Sequence, residues 1–415
     1  MATVATLLIG LDYVFLWEGL PRGPFGIWLT PSDLWGTYLA SISLVHGHLT
    51  SAYAALPGSL IVMAPAAALG NALHLEVGPN FAAFAAPNGW LLVGPYTLVL
   101  AAIPLFAADA IAEQLGSSRR TRLALALLEA IVLANVTIKW GHPEDAISGG
   151  LMLFAARDVA NGRWRRAGWL LGAAIAVQPF AVLALPALIT VAAVTHRRQA
   201  VPLFVRSVVP IAVLLLPALV FDWHEATQWI IHQPNFPYFN HLTPWTSLAT
   251  RIPGRFVAVS AGPGRLIGVA VATALSVVVC RRHAQRLEVV LWAIEAAFFL
   301  WLAVESVMDS YYTWPVLALG LLLCARRKRW RLAAAGAVAI FVTWFSNVAW
   351  TGIWPWWIIL MAGLLAMLAL SWPGASSSPS PADPSAAQEH RQPAEHPDVA
   401  SLEAVAHAKG QEVVG

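Results

Sequence analysis

The sequence predicts an all-α fold: a polytopic membrane protein of about twelve transmembrane helices, each needing roughly 20 apolar residues, plus an interfacial helix in the first outer loop. Three observations predict it. Of the 415 residues, 58% are hydrophobic and only 11% charged, with a mean hydropathy of +0.66, whereas a soluble protein carries about 25% charged residues. Apolar runs long enough to cross a bilayer recur along the chain. The basic residues gather in short clusters between those runs, as they do in the cytosolic loops of membrane proteins.

Taken in order, MATVATLLIGLDYVFLWEGL has neither a basic leader nor a small-residue cleavage site, and reads as the first span. The basic clusters are Arg119, Arg120, Arg122; Arg157, Arg163, Arg165, Arg166; Arg197, Arg198, Arg206; Arg281, Arg282, Arg286; and Arg326, Arg327, Lys328, Arg329, Arg331. Placing all of them inside, with both termini, leaves only five of the 25 basic residues outside: Arg22, Lys139, Arg251, Arg255 and Arg265. Two segments then follow from parity. The run AGWLLGAAIAVQPFAVLALPALITVAAV begins and ends on the inner side, so it is two short helices broken at Gln178-Pro179, where proline removes a backbone donor. Residues 57–75, if they crossed alone, would carry Asp33 to the cytosolic side, so an interfacial or dipping helix is expected there. Residues 1–372 form the membrane domain. Residues 373–415, rich in Pro, Ser and Ala, cannot bury a core and read as a disordered cytosolic tail.

The outward face holds the chemistry. In PSDLWGTYLASISLVHGHLTSAY, Trp35, Leu39, Ile42 and Val45 recur at helical spacing, so an amphipathic helix is expected to lie on the bilayer surface after Asp33. Asp33 is either the helix cap, with Ser32, or a general base at headgroup depth. In IKWGHPEDAI, Pro143 ends the helix before it near Lys139 and opens the next one, with Glu144 and Asp145 at its positive end. Helix capping explains two acids there. So many ionisable groups at a membrane boundary also mark a functional site. No cofactor is firmly implied. The spacing of His142, Glu144 and Asp145 matches no tetrahedral zinc pattern, although one of the carboxylates could help hold a hard divalent cation such as Mg²⁺ or Mn²⁺. The stretch FDWHEATQWIIHQPNFPYFNHLTPWTSLATRIPGR combines aromatics with His241 and Arg251, which suits either an interfacial aromatic belt or a sugar and phosphate site.

Three stretches resemble polytopic glycosyltransferases of the C-type superfold, especially bacterial polyprenyl-phosphate-mannose-dependent α-mannosyltransferases. SDLWGTYLASISLVHGHLTSAY resembles the first-loop pattern of that branch, with Asp33, Tyr38, Gly47 and Tyr53 as the matching positions. PGSLIVMAPAAALG is similar to its proline-started interfacial helix. GHPEDAISGGLMLFAARDVANGRWRRAGWLLGAAIAVQPFAVLALPAL resembles the block in which an outward Gly-Gln turn precedes a span, a basic inner turn and a small-residue helix ending in lysine and proline. Here Gly141-His142 and Gln178-Pro179 depart from that pattern, as a divergent member would. The resemblance covers the first 190 residues. It implies Asp33 as catalytic base on the acceptor hydroxyl. Tyr38, Lys139, His142, Glu144, Asp145, Gln178, His241 and Arg251 are the substrate-binding candidates, most of them chosen by position.

The implied function is transfer of a sugar, mannose by analogy, from a polyprenyl-phosphate donor to a lipid or glycan acceptor at the outer face of a bacterial plasma membrane. The alternatives are a multi-pass transporter or lipid flippase, which also uses broken spans, and a non-catalytic scaffold. Nucleic acid is not an expected partner, because no basic stretch is interleaved with exposed aromatics. Cys280 and Cys324 each adjoin a cytosolic Arg cluster, so neither a disulfide nor a cysteine metal site is expected.

Overall fold

The computed structural model describes residues 33–47, 57–75, 90–221, 223, 241–252, 258–260, 262–348 and 352–374. The expected first span, Tyr53, His224, Arg255 and the tail beyond residue 374 lie outside the described residues, as does the side chain of Asp33. Internal contacts divide the chain after Trp372, and the architecture below concerns the first unit.

That unit is built of α-helices. In chain order they are α1 (Asp33–Val45), α2 (Pro57–Ala72), α3 (Trp90–Gln114), α4 (Arg119–Ala134), α5 (Pro143–Ala160), α6 (Trp164–Val177), α7 (Leu185–Thr195), α8 (Arg197–Phe221), α9 (Gly262–His283), α10 (Leu287–Leu302), α11 (Trp314–Ala325), α12 (Arg329–Phe345) and α13 (Ile353–Ser371). Two-residue strands β1 (His241–Leu242), β2 (Arg251–Ile252), β3 (Ala258–Val259) and β4 (Val307–Met308) form two antiparallel pairs, β1 with β4 and β2 with β3. Among the described residues, four segments are long and apolar enough to cross a membrane: Leu92–Gln114, Arg197–Phe221, Gly262–His283 and Ile353–Ser371. They give the chain the helical character of a membrane protein. Many of their large apolar side chains point outward, among them Val201, Val213, Leu266 and Ile358, where lipid rather than protein would cover them.

Prolines punctuate the helices where their chemistry requires. Pro143 and Pro57 each open a helix, a position where the missing N–H costs nothing. Gln178 stands in extended geometry after α6, and Pro179–Ala184 forms a 3₁₀ segment before α7, so the run between the two Arg clusters is broken at Gln178-Pro179. Small residues then set the packing, as expected where apolar helices associate without a hydrophobic driving force. Gly149 of α5 lies against the ring of Trp314, so closely that a Cβ would overlap it. Gly172 of α6 admits Pro210 of α8, and Ser148 of α5 donates a hydrogen bond to the Ala174 carbonyl of α6, 2.9 Å away.

The two ends of the bundle differ in chemistry. At one end the basic turns are tied together. Arg122 pairs with Asp109 and Glu113, Gln114 with Asn161, and Arg286 and Arg326 share Glu288. Asp158 forms ion pairs with Arg166 at 3.0 Å and Arg163 at 3.6 Å. At the other end α4 does not stop at Ala134 but widens into a π-helical turn, Asn135–Lys139. Asn347, after α12, braces that turn by donating to Asn135 and accepting from Trp140. Helix α5 runs between the two ends, and its 18 residues span about 27 Å at 1.5 Å per residue, close to the ~30 Å hydrocarbon core of a bilayer.

Candidate functional site

The site grows from the π turn. A π turn inserts an extra residue and frequently marks a functional position; here it lets the His142 amide reach back to the Val136 carbonyl at 2.9 Å. Gly141 has φ +73°, a left-handed conformation that glycine adopts without steric penalty. This kink sets His142 ahead of Pro143, with Glu144 and Asp145 in the first turn of α5.

His142, Glu144 and Asp145 are all buried, at 8%, 3% and 5% exposure. His142 Nδ1 lies 2.9 Å from Glu144 Oε1. The second Glu144 oxygen, Oε2, is buried with no hydrogen-bond partner among the described residues. The side chain of Gln178, which the proline break leaves in place at the end of α6, lies beside Asp145. Glu144 and Asp145 both stand in the first turn of α5, where the helix dipole favours acids, and Glu144 also pairs with His142. One potential ligand atom from each of His142, Glu144 and Asp145 lies within 4.8 Å of the others.

A distant segment completes the cluster. Between α10 and α11 the chain runs Glu305-Ser306-Val307-Met308-Asp309-Ser310-Tyr311-Tyr312. The Tyr311 ring stacks on His142, with centroids 4.1 Å apart, and its hydroxyl donates to Asp309 Oδ2 at 3.2 Å. Asp309 is itself buried and close enough to Asp145 for their charges to interact. Neither Asp309 nor Tyr311 was among the candidates from sequence. Their signal was a second island of Glu, Asp, Ser, Tyr and Thr between apolar runs, with the same composition change seen at residues 139–145.

The other candidates divide. His241, in β1, pairs with Met308 and so sits beside the Asp309 segment. Its ring stacks on Trp356, centroids 4.2 Å apart. Burial lowers its pKa below the ordinary histidine value, against a smaller opposing effect of a hydrogen bond to the Ser346 backbone. Lys139 ends the π turn, half-buried, three residues before His142. Arg251 is exposed in the β2–β3 pair, and no described contact brings it to the cluster. Arg265, one of the basic residues expected on the outer side, forms a salt bridge with the buried Glu305.

Tyr38 is fully buried against Gly70, and its hydroxyl donates to the Ala66 carbonyl at 3.5 Å, a packing position within the α1–α2 pair. Ser41 donates to the Leu60 carbonyl, so α1 and α2 run antiparallel. The start of α2 docks on α6, where Ser59 donates to the Val177 carbonyl at 2.8 Å, one residue before Gln178. Asp33 opens α1 and therefore lies toward the Gly70 end of α2, about 16 Å along that helix from Ser59 at 1.5 Å per residue. The structure thus brings Gln178 and His241 to the neighbourhood of the His142 cluster.

A hollow of about 770 Å³ lies at the opposite, basic end, between Arg163, Trp164, Arg165, Arg166, Trp169 and Gln199. Its lining carries no carboxylate or imidazole, so the proton-transfer and ligand chemistry stays with the buried cluster. That cluster can exchange protons among three carboxylates and an imidazole, hold a sugar hydroxyl, or bind a cation. No protein-family model matches the chain, and no curated protein matches it.

Proposed function

We propose that the chain is a membrane glycosyltransferase of the C-type superfold, with about twelve spans of roughly 20 residues and the His142 cluster on the outer face. In this reading a polyprenyl-phosphate sugar enters from the membrane and a lipid or glycan hydroxyl attacks its anomeric carbon. The base takes the hydroxyl proton, and the sugar–oxygen bond breaks with its electron pair leaving on the polyprenyl phosphate. The product is a new glycosidic bond with inverted configuration. The observation that carries the proposal is the meeting of His142, Glu144 and Asp145 with Gln178 and the Asp309–Tyr311 segment at the end of the bundle opposite the basic turns. Buried polar groups at a membrane boundary cost free energy and are retained for function.

Two residues contend for the base. Asp33 is implied by the resemblance. Asp145 is supported by geometry, since it is buried, beside Gln178 and adjacent to a second carboxylate. Lys139 and His241, on segments adjoining the cluster, are the candidates to stabilise charge developing on the departing phosphate. Membranes containing the wild type, Asp33→Ala or Asp145→Asn are to be incubated with labelled polyprenyl-phosphate sugars. Loss of transfer in one variant alone ties transfer to that residue, and transfer unaffected in both removes the proposed site.

A second reading is favoured by a separate observation. Glu129 of α4 and Glu295 of α10 are buried inside the helix array, at 3% and 0% exposure, with Glu295 accepting a 2.7 Å hydrogen bond from Ser371. Carboxylates in such positions serve proton relays in transporters. Solute flux or lipid scrambling by reconstituted protein, abolished in Glu129→Gln or Glu295→Gln, would select transport over transfer.

A further inference from the structure

Beyond sugar transfer, and independent of it, we infer that His142, Glu144 and Asp145 form a binding site for a single divalent transition-metal ion, with Mn²⁺ as its best fit. Three facts lead there. Ligand atoms of the three side chains lie within 4.8 Å of one another. Two donors on one ion, each about 2.1 Å from it, are separated by at most about 4.2 Å, so small rotamer movements close the site. The second fact is the Glu144 Oε2 atom, buried without a hydrogen-bond partner. An orphaned carboxylate oxygen inside a protein is costly, and a cation satisfies it directly.

The third is the support around the set. Gln178 stands beside the Asp145 carboxylate, and the Tyr311 ring stacks on His142. Outer groups that orient ligands are a regular part of metal sites. Three side-chain donors leave the remaining coordination positions of an ion for water or a phosphate oxygen. One imidazole with two carboxylates suits Mn²⁺ better than Mg²⁺ or Ca²⁺, which prefer oxygen alone, and the absence of cysteine in the set disfavours a soft-metal site. Asp309, buried beyond Asp145, adds negative charge that an ion in this position would offset.

The test uses the full-length protein in detergent, stripped with chelator and titrated with Mn²⁺ while the free-ion electron paramagnetic resonance signal is followed. One saturable ion per chain is expected. Glu144→Gln and Asp145→Asn are expected to weaken binding by about tenfold or more, as loss of ligands or their supports does, while Glu113→Gln at the basic end leaves it unchanged. Pulsed resonance on the wild type gives a check that needs no variant: the bound ion should show coupling to an imidazole nitrogen. No saturable binding, binding without that nitrogen coupling, or well-folded Glu144→Gln and Asp145→Asn proteins that bind as the wild type does would each overturn the inference. Because the readout is metal binding alone, failure here leaves the sugar-transfer proposal standing, and failure of sugar transfer leaves this one standing.

Discussion

Replacing Gly149 by alanine tests how the site is held. Gly149 lies in α5 one turn beyond Asp145, and the Trp314 ring occupies the space a Cβ would fill. Trp314 is 2% exposed and opens α11 immediately after the segment carrying Asp309 and Tyr311, so its ring has little free space to move into. Two effects oppose each other. Alanine is favoured over glycine in a helix interior by about 1 kcal/mol, and overpacking a core costs about 1–3 kcal/mol. The single variant should therefore lose up to about 2 kcal/mol net, taking the upper overpacking figure.

A double-mutant cycle separates the two terms. In a Trp314→Leu background the ring is gone, the clash disappears and Gly149→Ala should become stabilising. Trp314 Nε1 has no hydrogen-bond partner among the described residues, so the background substitution removes no hydrogen bond from the cycle. The expected coupling between the two sites is about 1–3 kcal/mol, measured by reversible unfolding in mixed detergent micelles. Additivity within about 0.5 kcal/mol would refute the contact, and with it the account of how α5 and the Tyr311 segment are brought together.

Further predictions follow the same structure. Arg265→Ala leaves Glu305 buried beside no cation and should cost about 3–5 kcal/mol, whereas Arg265→Ala with Glu305→Gln should recover a large part of that loss in the same unfolding assay. Gly141→Ala forces a side chain into the left-handed region and should cost about 1–2 kcal/mol, together with weaker Mn²⁺ binding because His142 is displaced. His241 is held neutral by burial, its pKa lowered in the folded protein. The unfolded chain therefore binds more protons just below the ordinary histidine pKa of about 6.5, so stability is full above that pH and falls as pH drops toward the lower folded value. Melting curves between neutral and mildly acid pH should show that slope in the wild type and a shallower one in His241→Phe.

Local proline chemistry was legible in the sequence. The break at Gln178-Pro179, the helix opening at Pro57, the helix opening at Pro143 and the helix that follows Asp33 all stand where the residues put them. Each is decided within a few residues by a missing N–H or a repeated apolar face. The acids of residues 139–145 were legible as a candidate site for the same reason, because charge is conspicuous in so apolar a chain. The partners were not. Tyr311 reaches His142 across more than 160 positions of sequence, and nothing in the local pattern around either residue encodes that meeting. The π turn was hidden too, since it contains no helix-breaking residue and its bracing partner Asn347 lies far along the chain. Tyr38 shows the opposite case. The resemblance implied a substrate contact, whereas its ring fills the space left by Gly70.

The central claim is that the buried cluster around Asp145 serves transfer of a sugar from a lipid phosphate. The most direct measurement is transfer of labelled sugar from a polyprenyl-phosphate donor by purified protein in liposomes, comparing the wild type with Asp145→Asn. The account predicts labelled lipid or glycan product from the wild type and its loss in the variant at equal protein and equal melting temperature. Equal product from both proteins would contradict it.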